Sequence, residues 1–415
     1  MTIEAVSQAP AAPVSLRRAL GLWLLVFYGL GTIIGAGIYV LVGEVAGKAG
    51  MAAPVAFLLA GLLAALTGLT YAELAARFPE AAGAAAYVSE GLGSPMLARL
   101  TGFLVLFVGI VVAASLARGV AGYLTVFLAL PQWLVAGAFV LSFTALACLG
   151  VRESVGLASV MTIVELAGLA LVIAAGAPSL PDLPSRLHET VPSTAAAWSG
   201  VGAGAFLAFF AFIGFESLAN MGEEAKDAKR TLPRAIILSI VISTVVYVAV
   251  SLVAVLAVPI DQLARSTAPL SLILDASSWA PTELLAVIVV LAVPGGILID
   301  MVMASRMLYG LARRGLVPAW LGHVNRRTQV PVVATLIAGS VAFVLAVGVP
   351  FSGLVTVTST LTLLVFLAVN LALWRVQRRR LRPHDGFDAP SWMAPTAAAL
   401  CLVLIVAEIG GQLLR

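Results

Sequence analysis

Four glycines crowd into nine residues of the apolar stretch GLWLLVFYGLGTIIGAGIYVLVG (21–43): Gly29, Gly31, Gly35 and Gly37. Each weakens a helix interior by about 1 kcal/mol relative to alanine, so the backbone is expected to unwind around Gly31–Gly37. Close helix packing through the small residues Gly31 and Gly35 is the competing reading of the same spacing. A second stretch, GVGAGAFLAFFAFIGFESLANMGEE (200–224), tips the balance, because it places Gly214 and the ionisable Glu216 in the middle of an apolar run. Where a helix unwinds, backbone N–H groups at the start of one half attract an anion. Freed carbonyls at the end of the other half attract a cation. A small zwitterion with a carboxylate and an ammonium fits that pair, and an α-amino acid is the obvious example.

Glu165, Glu216, Asp300, Arg118 and Arg306 also fall within apolar runs. A charged side chain at a helix centre in lipid costs roughly 2.5–3.5 kcal/mol on insertion scales, so such residues face the protein interior or water. Glu165 sits near mid-depth of its run at about 1.5 Å per residue. Burial disfavours a charged carboxyl, and a carboxyl there could accept a proton on one side and release it on the other. Proton coupling is therefore assigned to Glu165 and Asp300, whereas Glu216 is read as a substrate contact or a stabiliser of the break. Arg118 and Arg306 read as static structural charges. Asp300 and Arg306, six residues apart, point to different helix faces. Glu73 and Arg77, four apart, read as a structural pair. His188, His323 and His384 fall in loops, and Cys148 and Cys401 lie in apolar runs, so no metal site, disulfide framework or cofactor is expected. No nucleophile–base pair indicates an enzyme.

The elements that must position these groups follow from composition. Of 415 residues, 61% are hydrophobic and 11% charged, with mean hydropathy +1.08. Soluble domains carry roughly 25% charged residues, so a soluble enzyme, a disordered chain and a disulfide scaffold are excluded, leaving a polytopic membrane protein. Eleven helical spans are expected near 20–45, 51–76, 97–129, 132–150, 154–177, 196–225, 231–258, 283–312, 332–350, 352–376 and 392–413. With the N-terminus inside, eighteen Lys and Arg fall on the inner side (Lys226, Arg77, Arg375 and Arg380 among them) and four on the outer: Lys48, Arg186, Arg265 and Arg415. The net charge of +4 thus reflects the positive-inside rule rather than a nucleic-acid partner. All seven tryptophans fall near span ends, at interfacial depth. The first span lacks the order of a cleaved signal. If helices one to five and six to ten form two units, each opens with an interrupted helix and the second unit inserts upside down, the pattern that marks a transporter binding site. The expected organisation is a cytoplasmic tail (1–19), a first repeat (20–177), an extracellular loop (178–195), a second repeat (196–376), a basic cytoplasmic loop (377–391) and helix eleven with the C-terminus (392–415).

Several motifs resemble the amino acid–polyamine–organocation (APC) superfamily, over nearly the whole chain from Leu20 to Ala407. GTIIGAGIY (31–39) is similar to the family's first-helix substrate motif, and YAELAARFPEAAGAAAYV (71–88) to its second-to-third-helix loop. FFAFIGFES with EEAKDAKRTLPRAI (209–236) resembles the sixth helix and following loop of cationic-amino-acid-transporter-like bacterial members, and MASRMLYGLARRGLVP (303–318) the end of the eighth helix. The resemblance implies an all-α, five-plus-five inverted-repeat fold with discontinuous helices one and six, one additional C-terminal helix, and alternating access. It assigns the substrate carboxylate to Ile34, Gly35, Ala36 and Gly37, with Thr32 and Ile33 at the end of the first half-helix. It assigns the amino group and gate to Phe209, Phe210, Phe212 and Ile213, and side-chain selectivity to Ile110, Met303, Thr356 and Ser359. Two departures stand out: Ala36 where many relatives have a hydroxyl residue, and Glu165 where relatives often carry a lysine.

The expected function is proton-coupled uptake of neutral amino acids across a prokaryotic cell membrane, since Glu216 is the one charge the sequence places beside the side-chain pocket. An ion-independent exchanger, a transporter of cationic amino acids or polyamines, and a channel or receptor are the alternatives. The sequence sets no oligomeric state.

Overall fold

The computed structural model describes residues 20–78, 83–125, 127–148, 155–222, 225–313, 315–325, 330–379 and 386–413. Among them every regular element is a helix, with one isolated parallel bridge between Leu20 and Ala225. In order, the first half holds α1 (Leu22–Ile33), α2 (Ala36–Ala49), α3 (Ala53–Arg77), α4 (Gly83–Leu92), α5 (Pro95–Leu124), α6 (Gln132–Cys148), α7 (Val155–Gly176) and the short α8 (Leu183–Thr190). The second half holds α9 (Ala195–Phe209), α10 (Ala228–Ala257), α11 (Ile260–Arg265), α12 (Pro269–Asp275), α13 (Thr282–Ala292), α14 (Pro294–Arg313), α15 (Val332–Gly348), α16 (Phe351–Arg378) and α17 (Met393–Leu413).

Each of the eleven expected spans falls on helical segments. Among the described residues eight helical stretches are long and apolar enough to cross a bilayer, and α1, α6 and α15 are shorter apolar helices. This is an all-α polytopic membrane protein. Three features differ from the sequence expectation. The connections between spans contain α4, α8, α11 and α12, which the span positions alone do not give and whose few turns carry no span-length apolar signal. The third span ends at Leu124 rather than 129. The eighth span is divided at Val293 into α13 and α14, because Pro294 has no N–H to continue the ladder.

Trp23, Trp133, Trp198, Trp279, Trp320 and Trp392 are exposed near helix ends, as interfacial residues should be, while Arg378 lies 4.7 Å over the Trp374 ring. At one end of the bundle, Glu73 is fully buried and fully partnered. Arg77 donates from Nε at 2.7 Å, Gln377 Nε2 at 2.6 Å and the Ala389 amide at 2.9 Å, and Arg77 also pairs with Asp388 at 2.9 Å. The expected Glu73–Arg77 pair is thus the centre of a network tying α3 to α16 and to the segment before α17. At the same end Arg375 donates to the Leu92 carbonyl and the Lys226 amide to the Leu20 carbonyl. In the core, Asn370 bridges α16 to α3 through Thr70 (2.6 Å) and Thr67 (3.2 Å), satisfying polar groups that lipid would leave unpaired.

Candidate functional site

The first break is narrow. The amide of Ile34 still bonds to the Leu30 carbonyl (2.6 Å), but Ile34 turns to φ −80°, ψ 107° and Gly35 to φ −147°, ψ −154°, both extended. No side chain caps the end of α1 or the start of α2. The last carbonyls of α1 and the first amides of α2 are therefore the orphan groups that any helix end leaves.

The second break is longer and tighter. After α9 the chain makes a 3₁₀ turn (Phe210–Phe212), extends at Ile213, reverses at Gly214 with φ +129°, and resumes as 3₁₀ helix over Phe215–Met221. Gly214 is required twice over. L side chains rarely adopt that φ, and a Cβ there would collide with the Thr32 carbonyl. Gly37 is pressed likewise, since its Cβ would sit 2.9 Å from the Cα of Ala211. The two breaks thus lie directly against each other. The hydroxyl of Tyr247, fully buried on α10, lies 3.0 Å from the Ile33 carbonyl oxygen and 2.9 Å from that of Ala211, serving both. Glu216 accepts the Gly214 amide at 2.9 Å and so caps its own break.

Around these breaks lies a cavity of about 130 Å³. Thr32, Ile33, Ile34, Gly35 and Gly37 line it from the first break, and Phe210, Ile213, Gly214, Glu216 and Ser217 from the second. Opposite stand Val105, Val108, Gly109, Val112 and Leu116 of α5, Glu165 of α7, and Gly296, Ile299, Asp300, Met303 and Met307 of α14. A side chamber of about 20 Å³ adjoins it behind Glu165, bounded by Tyr28, Gly31, Thr162 and Gly295. The carboxyl of Glu165 makes no hydrogen bond or ion pair among the described residues; its backbone carbonyl accepts from the Tyr39 hydroxyl at 2.7 Å. Tyr123 in turn donates to the Tyr39 carbonyl at 2.6 Å, so two phenols tie α2 to α7 and α5.

The structure brings Thr32, Ile33, Ile34, Gly35, Gly37, Phe210, Ile213, Glu216, Met303, Glu165 and Asp300 together at one cavity. Other expected contacts lie elsewhere. Phe209 packs on Phe366 (5.8 Å between centroids) and Phe212 on Tyr247 (5.0 Å), both turned into the core. Ile110 on α5 is buried in the core, and on α16 Ser359 is fully buried and Thr356 half-buried; none of the three is among the described residues that line this cavity. For Ala36 the backbone opens α2 and its side chain is outside the described residues. Arg118 donates to the Val347 carbonyl at the end of α15 (2.8 Å), a structural contact. The side chain of Arg306, and residues 223 and 224 of the EEAKDAKR segment, lie outside the described residues. Among the described residues no cluster fits a metal ion. Tyr247, Tyr39 and Tyr123 escaped the sequence reading, and their one signal was a hydroxyl in an otherwise apolar span.

Residues 20–412 match the family model described as amino acid permease. The chain belongs to the amino acid permease family. The permease is similar to the branched-chain amino acid permease BcaP of Bacillus subtilis, 28% identical over 99% of this chain and 92% of that protein. It is 32% identical to the Arabidopsis thaliana cationic amino acid transporter 3, mitochondrial, over 91% of this chain but 64% of that longer protein. An uncharacterized transporter of Mycobacterium tuberculosis is 33% identical over 90% of this chain and 85% of its own length. The permease is a multi-pass membrane transporter of the APC superfamily and not an enzyme.

Proposed function

We propose that the permease carries an α-amino acid across the cell membrane by alternating access, driven by protons. The carrying observation is the meeting of two interrupted helices at one cavity, where uncapped amides at the start of α2 receive a carboxylate and the freed carbonyls of α1 receive an ammonium. Glu216, at the lip of the second break, adds negative charge on the ammonium side. The residues 20–177 and 196–376 act as the two inverted halves, with the basic end of the bundle in the cytoplasm and the C-terminus outside. The walls run from the breaks toward Val105 and Met307, which favours a cavity open to the cytoplasmic side.

Glu165 is the proton carrier in this reading. It is 5% exposed, unpaired among the described residues, and stands between the main cavity and its side chamber. The relatives are named for branched-chain and for cationic amino acids. The expectation of a neutral substrate rested on a side-chain pocket without further charge, and Asp300 in the cavity wall removes that ground.

A thermal-shift screen of the twenty amino acids against the purified protein tests binding, and the reading fails if none stabilises it. Uptake into empty proteoliposomes with and without an inward pH gradient tests the drive. Symport requires uptake that rises with the gradient, whereas an exchanger takes up substrate only when amino acid is preloaded inside. Glu165→Gln is expected to flatten the pH dependence of uptake, and an unchanged profile would move the proton elsewhere.

A further inference from the structure

We propose that Asp300 selects a basic substrate: its carboxylate holds the cationic end of a side chain whose α-amino and α-carboxyl groups sit at the two breaks. This rests on the amino-acid reading above and names the substrate class for the same cavity.

The balance of charge in the cavity is one-sided. The cavity is lined by three carboxyl groups, Glu165, Glu216 and Asp300, and by no lysine, arginine or histidine among the described residues. Two of the three have other surroundings. Glu216 is engaged by the Gly214 amide at the break itself. Glu165 borders the small chamber as well as the cavity, and is almost completely buried. Asp300 borders the main cavity alone, and its carboxyl makes no hydrogen bond or ion pair among the described residues. An unpaired carboxylate inside a membrane protein is costly and normally finds a partner. Among the described residues none supplies that partner, so the partner arrives with the ligand.

The surroundings of Asp300 define that ligand. Val105 and Val108 on α5, with Met303 and Met307 on α14, give the cavity that Asp300 lines apolar walls. On α5, Gly109 offers no side chain, and a Cβ there would stand 3.9 Å from the backbone carbonyl oxygen of Asp300. An aliphatic stem ending in a cation matches this combination, the methylenes lying on the walls and the charged head on the carboxylate. Lysine, ornithine and arginine have that form. A neutral branched side chain would fill the walls and leave the carboxylate without a counter-charge.

The test compares L-lysine with L-norleucine, which keeps the four-carbon stem and lacks the terminal ammonium, by direct binding to the purified full-length protein in lipid nanodiscs. Wild type is expected to bind lysine about tenfold or more tighter than norleucine. Asp300→Asn should erase that preference, weakening lysine by about the same factor and leaving norleucine unchanged or tighter, while Asp300→Glu retains it. Equal or tighter binding of norleucine by wild type overturns the proposal, as does an Asp300→Asn protein with the lysine preference intact. Should Asp300→Asn fail to fold, the wild-type pair of ligands decides. Failure of every amino acid to bind strikes the transport reading instead, whereas binding of leucine or norleucine without lysine leaves that reading standing and removes this one.

Discussion

At the first interruption, two residues in ordinary extended conformations separate helices whose ends carry no caps. At the second, a glycine with φ +129° stands between two 3₁₀ segments, and the carboxylate of Glu216 closes over its amide. The first break therefore leaves backbone groups free to meet a ligand, and the second spends much of its polarity on holding itself in place. The glycines differ in the same way. Gly214 is there because its backbone and the Thr32 carbonyl admit nothing else, while Gly35 has an extended conformation open to any residue, and a Cβ there would meet the end of one flexible side chain, Leu116, at 3.3 Å. One glycine builds the site and the other keeps it empty.

Substitutions at the two positions should separate these roles. Gly214→Val is expected to have the largest effect, since it combines a disallowed φ, worth about 1–3 kcal/mol, with a backbone collision. Both thermal stability and uptake should fall, uptake by two orders of magnitude or more, roughly. Gly35→Leu should abolish ligand-induced thermal stabilisation while leaving the ligand-free melting point and helical circular dichroism close to wild type. Wild-type affinity in that variant would refute the open-backbone cradle. Tyr247→Phe removes the hydroxyl shared by both breaks and should cost about 1–2 kcal/mol, seen as a lower melting point and weaker binding by roughly tenfold or less. The smallest change is expected from Glu216→Gln, whose amide oxygen can still accept the Gly214 N–H. Its loss should be below that of Glu216→Ala, which leaves the amide unpaired at about 1–3 kcal/mol. Equal losses in the two Glu216 variants would mean that the charge, rather than the cap, is what this residue contributes.

Much of this architecture was readable in advance because a bilayer permits so few solutions. Long apolar runs become helices, and the glycine cluster and the mid-span Gly214–Glu216 pair marked both breaks. The kink before α14 was also written in the chain, as Pro294-Gly295-Gly296, but it lies inside a run whose hydropathy never drops. The faces of α5 and α16 were another matter. Ile110 and Ser359 sit on spans that do flank the region, yet which side of a uniformly apolar helix looks inward depends on how its neighbours pack, and no amphipathic stripe records it. Phe209 and Phe212 were drawn away by partners far along the chain, Phe366 and Tyr247. The tyrosine hydroxyls that brace the breaks act across 36 to 214 residues of sequence, a range at which spacing carries no information.

The phenol on α10 has a bearing on motion as well as on strength. A single phenol proton stands between two acceptors, one on each interrupted segment, so a small shift of either segment can swing the hydrogen bond from the Ile33 carbonyl to that of Ala211 while the proton stays on the Tyr247 oxygen. The three segments that meet there share one pin, the hydroxyl oxygen of Tyr247.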